Sequence, residues 1–104
     1  MLENRIEKRL KDEVEKIGGK AKKFVSPGMS GMPDRIVLLP GGKIIFVETK
    51  APGKKLRALQ EYRAKELRGL GFRVEMIDTL EKIDLFIKEV IGSVKSKSDM
   101  WKLW

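Results

Sequence analysis

Residues 31–50 read GMPDRIVLLPGGKIIFVETK. Two aliphatic-rich runs, Arg35–Leu39 and Lys43–Glu48, flank Pro40-Gly41-Gly42, a composition that predicts a β-hairpin. Both runs are nearly continuous in apolar residues rather than alternating, which predicts strands covered on both faces. The turn then sets the register. A loop of Pro40, Gly41 and Gly42 pairs Leu39 with Lys43 and puts Asp34 directly across from Glu48. A shorter Gly41-Gly42 loop pairs Asp34 with Thr49 and leaves Glu48 one step away. Directly opposed residues have Cβ atoms ~4.5–5.5 Å apart. Two carboxylates that close repel unless a cation lies between them or one keeps its proton. The open end of the hairpin therefore predicts a divalent-ion site with Asp34 and Glu48 as ligands.

Lys50 follows Glu48 by two residues, so in extended chain both side chains leave the same face. An ammonium beside a metal-bound carboxylate can hold or activate a water for attack on phosphorus. Thr49 points the other way, with a backbone carbonyl that could reach the ion. The plainer reading makes Asp34 a turn residue and Glu48–Lys50 a strand-end ion pair.

Working outward, Leu2, Ile6, Leu10, Val14 and Ile17 recur at helical spacing until Gly18-Gly19. Ala21–Val25 reads as a short strand, and Met29–Pro33 as a loop. APGKK (51–55) is a second loop. Leu56, Leu59, Leu67 and Leu70 predict a second amphipathic helix that stops at Gly69 or Gly71. Phe72–Ile77 is the last strand, and Asp78 with Glu81 resembles a capping box for a third helix over Thr79–Ile91. The order is α-β-β-β-α-β-α, one layered α/β domain of helices on a mixed sheet. That domain spans residues 1–92, and 93–104 read as a tail whose Met100, Trp101, Leu103 and Trp104 form an apolar cluster able to dock on a neighbour.

Composition narrows the chemistry. The 104 residues contain no cysteine and no histidine, which excludes disulfides, thiolate or imidazole metal sites, and histidine-based catalysis. Any metal ligands are oxygens, pointing to Mg²⁺ or Mn²⁺. Twenty-three Lys and Arg against fifteen Asp and Glu give a net charge of +8, suited to a nucleic-acid partner. The longest aliphatic or aromatic runs, Ile36–Leu39 and Ile44–Val47, are far short of the ~20 residues of a membrane span. The charged amino terminus lacks a signal-peptide core, so a cytoplasmic setting, in a bacterium or a host cell, is the expectation.

Further candidates follow from helical geometry at about 100° per residue. Glu3 falls inside the apolar stripe of the first helix and Glu7 on its edge. An acid aimed at the core needs a partner, which a metal or lysine would supply. The other explanation is a solvated first turn, where acids suit the helix dipole. Gln60 borders the stripe of the second helix, where it could orient a water, touch a phosphate oxygen, or be a satisfied polar neighbour of the core. Lys54, Lys55 and Arg57 follow the loop beside the site and suit phosphate neutralisation, with Lys23 and Arg35 as candidates for the same work.

Taken together, Gly31-Met32-Pro33-Asp34-Arg35, the hairpin, Glu48-Thr49-Lys50 and Gln60 resemble the VRR-NUC branch of the PD-(D/E)XK nucleases. The resemblance covers roughly residues 2–91 and implies a restriction-endonuclease-like mixed β-sheet flanked by helices. It also implies acids that bind one or two Mg²⁺ or Mn²⁺ ions, a lysine that assists the attacking water, a helical glutamine matching Gln60, and a further glutamate from an early helix. Glu3 aligns best with that glutamate, with Glu7 as the alternative. Small stand-alone members imply homodimers acting on branched DNA such as four-way junctions. The expected function is thus a metal-dependent endonuclease hydrolysing DNA phosphodiesters. A basic nucleic-acid-binding protein with a vestigial site is the alternative, and RNA is a further possible substrate.

Overall fold

A computed structural model describes residues 2–93. Helix α1 (Leu2–Lys16) leads into β1 (Lys20–Lys23), β2 (Arg35–Leu39) and β3 (Lys43–Thr49). Helix α2 (Ala58–Gly69), β4 (Arg73–Ile77) and α3 (Leu80–Ser93) follow. The strands lie in the order β1-β2-β3-β4. Neighbours β1–β2 and β2–β3 are antiparallel, whereas β3 and β4 are parallel. A parallel pair needs a crossover, and α2 is that crossover. The predicted element order and the mixed α/β fold are both present.

The sheet separates two cores by strand alternation. On one face Val37, Leu39, Ile45, Val47 and Ile77 pack with Ile6, Leu10 and Val14 of α1 and Ile83, Phe86, Ile87 and Val90 of α3. On the other, Phe46 and Val74 pack with Ala64 and Leu67 of α2. Phe24 and Phe72 meet the Phe46 ring edge-on, with centroids 5.7 and 5.5 Å away. Alternation carried to the end of β3 sends Glu48 toward the α2 side and Thr49 toward the α1 side.

The hairpin takes its longer loop. Leu39 pairs with Lys43, and Gly41 and Gly42 adopt φ values of +87° and +81° that side chains with a Cβ rarely accept. That register carries Asp34 opposite Glu48.

Several boundaries differ from expectation. β1 is Lys20–Lys23 rather than 21–25 and turns only Ala21 inward, although the Phe24 amide still donates to the Asp34 carbonyl at 2.9 Å. β4 starts at Arg73, after Gly71 at φ +96°. The start of α3 is capped by Thr79, whose Oγ1 accepts from the Lys82 amide at 3.1 Å, while Asp78 pairs with the Lys82 ammonium at 2.8 Å. Continuous apolar character overstated coverage of the hairpin, because Leu38 and Ile44 stay 38% and 40% exposed. The leucine stripe on α2 is also corrected. Leu59 and Leu70 are 44% and 72% exposed, and the buried row is Gln60, Ala64 and Leu67. Ala64 is 2% exposed and packs with Phe46, Leu67 and Val74, so a small residue faces the sheet where leucines were the stronger apolar signal.

Among the described residues no helix is long and apolar enough to cross a membrane. The tail cluster from Met100 to Trp104 and its docking lie outside the described residues.

Candidate metal centre

Acidic side chains from three elements converge at the end of the sheet away from the hairpin loop. Glu3 and Glu7 stand one turn apart on α1, so both face the same way. Together with Asp34, each offers a carboxylate oxygen within 4.8 Å of the other two, and all three are partly buried. Asp34 is held from β3: the Thr49 amide donates to its Oδ1 at 3.1 Å and the Thr49 hydroxyl to its Oδ2 at 2.8 Å. That hydroxyl is also 3.3 Å from Glu7 Oε1, and the Arg35 guanidinium lies 3.5 Å from Glu7 Oε2.

Glu48 sits beside this cluster and is only 8% exposed. Its Oε1 accepts from the Asp34 amide at 3.2 Å, and its Oε2 accepts from Gln60 Nε2 at 3.4 Å. Lys50 Nζ lies 3.9 Å from Oε2. Burial pushes the Glu48 carboxyl up to about 7, helped by the Asp34 and Glu3 charges and opposed by Lys50 and the Asp34 amide. Burial also raises the Asp34 carboxyl, and the Glu7 charge adds to the rise, while the Thr49 bonds and Arg35 pull it down. Four carboxylates thus face two nearby cations, Arg35 and Lys50, and the ionised site is short of positive charge. All the donors are hard oxygens, the set that suits Mg²⁺ or Mn²⁺.

The structure brings Glu3, Asp34, Glu48, Thr49, Lys50 and Gln60 to one place, with some roles rearranged. Asp34 and Glu48 are opposed in register, yet Asp34's carboxylate turns to Thr49 and the α1 acids, while Glu48 bonds the Asp34 amide and α2. Glu7 stands with Glu3 rather than in its place. The Thr49 side chain, read from the sequence as pointing away from the site, points at two of its carboxylates. Gln60 bonds Glu48 and, through Oε1, the Arg57 amide at 2.9 Å, so it both positions an acid and closes the first turn of α2. Arg35, 13% exposed, is drawn inward to Glu7 and is no open-surface cation. Lys23, Lys54, Lys55 and Arg57 are exposed. The sequence alone predicts neither the Thr49 hydroxyl nor the convergence of both Glu3 and Glu7 on Asp34. The i, i+4 spacing of the two glutamates was the available signal for the second.

Residues 3–79 match the family model described as the VRR-NUC domain. The chain is 56% identical over 77 residues to "Putative nuclease p44" of Acyrthosiphon pisum secondary endosymbiont phage 1, covering 74% of this chain and 83% of that protein. A solved structure of a VRR-NUC domain superposes with a TM-score of 0.81 at 32% identity, covering 85% of this chain and 96% of that one.

Proposed function

This chain belongs to the VRR-NUC family, and from that premise we propose that it is a divalent-metal-dependent endonuclease hydrolysing DNA phosphodiesters. The observation that carries the reading is the trio Glu3, Glu7 and Asp34, with mutual oxygen distances within 4.8 Å, beside the Glu48–Lys50 pair. Asp34, Glu3 and Glu48 would hold Mg²⁺ or Mn²⁺, with Glu7 and the Thr49 carbonyl completing the oxygen set. Such an ion, when bound, supplies a more acidic water and polarises a phosphoryl oxygen.

The chain's own residues prepare the rest. The Thr49 amide and hydroxyl fix the Asp34 carboxylate, and Gln60 fixes Glu48, so neither acid must reorganise when substrate arrives. Lys50, 17% exposed at its side chain, keeps an ammonium beside Glu48, where it can orient the attacking water and steady charge building on the phosphate. Lys23, Lys54, Lys55 and Arg57 provide exposed positive charge for the DNA backbone. We further propose branched DNA such as four-way junctions as the preferred substrate and a homodimer as the working form, since paired cuts need two sites.

The test is cleavage of single-stranded, duplex, flap and four-way-junction DNA with Mg²⁺ or Mn²⁺ against an EDTA control. Metal-dependent cutting that Lys50→Ala reduces by about 10²–10³-fold supports the reading. Metal-independent binding with no nicking of any substrate rejects it in favour of a DNA-binding protein with a vestigial site. Light scattering tests the dimer, which a monomeric mass removes.

A further inference from the structure

We infer that Arg63 is a positioning residue for the acidic site: it fastens the loop that delivers Asp34 to the helix that holds Glu48. The inference rests on the metal-nuclease reading above. Between β1 and β2 the chain makes a long excursion over residues 24–34. Its first half is a turn at Ser26–Met29, where the Met29 amide donates to the Ser26 carbonyl at 3.1 Å and Gly28 takes φ +77°. Its second half, Ser30–Pro33, leads directly into Asp34. That half is tied to α2 at two adjacent points. Arg63 Nε donates to the Ser30 carbonyl at 3.0 Å. Gly31, at φ +84°, lies so close to Leu59 that a Cβ there would come within 2.7 Å of Leu59 Cγ and 2.9 Å of the Leu59 carbonyl oxygen.

The same helix turn carries Gln60, which bonds Glu48. Gly31, Pro33, Gln60 and Glu48 all line one narrow crevice between the loop and α2. Residues 60 and 63 are neighbours on the helix surface. Helix α2 therefore grips both acid-bearing segments through one rigid turn, Glu48 by Gln60 and the approach to Asp34 by Arg63 and Leu59. Arg63 is well placed to hold its position. Its side chain is 20% exposed, its second nitrogen reaches Glu66 at 3.3 Å, and its guanidinium lies 5.4 Å from the Tyr62 ring centre. A surface ion pair with Glu66 alone would leave the loop untouched, whereas the bond to a main-chain carbonyl fixes it. The spacing of Asp34 from Glu48, and with it the fit of a dication, depends on this strap.

The experiment measures Mn²⁺ binding to the full chain by electron paramagnetic resonance, alongside thermal unfolding and the Mn²⁺ concentration for half-maximal cleavage. It compares wild type, Arg63→Met, Arg63→Lys and Leu59→Ala. We expect Arg63→Met to weaken Mn²⁺ binding by about tenfold and to raise the half-maximal Mn²⁺ concentration by a similar factor. Cleavage at saturating Mn²⁺ should stay within about twofold of wild type. Arg63→Lys, which keeps a donor on a similar stem, should retain most of the affinity. Unchanged Mn²⁺ affinity in a folded Arg63→Met overturns the inference. Should that variant fail to fold, Leu59→Ala decides, because it loosens the same strap at a half-exposed position. Unchanged Mn²⁺ affinity there overturns the inference too. Wild-type protein that neither binds Mn²⁺ nor cuts DNA defeats the metal-nuclease reading itself, an outcome distinct from wild-type binding that the Arg63 variants leave unaltered.

Discussion

The backbone amide of Asp34 donates to the carboxylate of Glu48, 3.2 Å away, across the open end of the hairpin. The gesture is returned one residue on, where the Thr49 amide donates to the Asp34 carboxylate at 3.1 Å. Each strand end thus holds the acid of the other, and the two side chains leave on opposite sides of the sheet margin. One turns to α2 and the other to α1, so Asp34 joins Glu3 and Glu7 while Glu48 stands beside that trio on the Gln60 side.

Glu48 makes the metal-free protein sensitive to pH. Its carboxyl is raised from 4.5 to about 7, so the folded state holds this proton more tightly than the unfolded chain. That stabilisation is fully present below the unfolded value and is lost as pH rises through about 7. The shift corresponds to on the order of 3 kcal/mol. Thermal unfolding in EDTA, measured from pH 5 to 8 for wild type and Glu48→Gln, should show wild type losing stability relative to the variant as pH rises. Parallel curves would contradict the assignment.

A dication should reverse this trend. At a Mn²⁺ concentration about 100 times its Kd, binding to the folded state alone adds ~2.7 kcal/mol. The melting temperature at pH 8 should therefore rise with Mn²⁺ and fall back on chelation. Glu3→Gln and Glu7→Gln should each shrink the increment, since both acids stand in the same cluster. Calorimetry with and without EDTA checks it.

Thr49→Val tests the hydroxyl. The side chain is fully buried and the variant nearly matches its shape, but Asp34 Oδ2 loses the 2.8 Å donor. A loss of about 1–3 kcal/mol in unfolding free energy is expected. Reduced Mn²⁺ affinity should accompany it, because the Thr49 amide alone then holds Asp34. Chemical denaturation and metal titration report the two effects separately.

Salt dependence locates the DNA-facing cations. Lys54→Ala and Lys55→Ala should each lower the slope of log binding constant against log salt by about 1. Arg35→Ala should leave the slope nearly unchanged, because its guanidinium turns inward and pairs with Glu7. Fluorescence anisotropy over a salt series in EDTA, on a Lys50→Ala background, measures this.

Much of the fold and part of the site could be read from residue order. Short apolar runs, the helical spacing of Leu2 to Ile17, the Pro40-Gly41-Gly42 turn and the helix stops at glycine carry the element order, because each is a local preference that tertiary packing does not override. Register followed from the length of one turn. What escaped was non-local. Whether Glu3 or Glu7 reaches Asp34 depends on how α1 lies across the sheet, and the sequence alone posed as a choice what the fold makes a pair. Hydrophobicity ranks leucine above alanine and so favours Leu59 and Leu70 for the core face of α2. The helix in fact turns Gln60 and Ala64 inward, since Glu48 needs a donor there and the sheet needs room. Arg35 reads as a candidate for phosphate neutralisation because nothing local reveals a partner 28 positions earlier in the chain.

Two of the gathered acids belong to the opening turns of α1, within about two helical turns of the first residue. A segment joined ahead of α1 therefore enters the chain within a few residues of Glu3. A polyhistidine purification tag at that end would offer imidazoles to the same ion and report the tag's own affinity. The cleaner handle is one that can be cut away before titration.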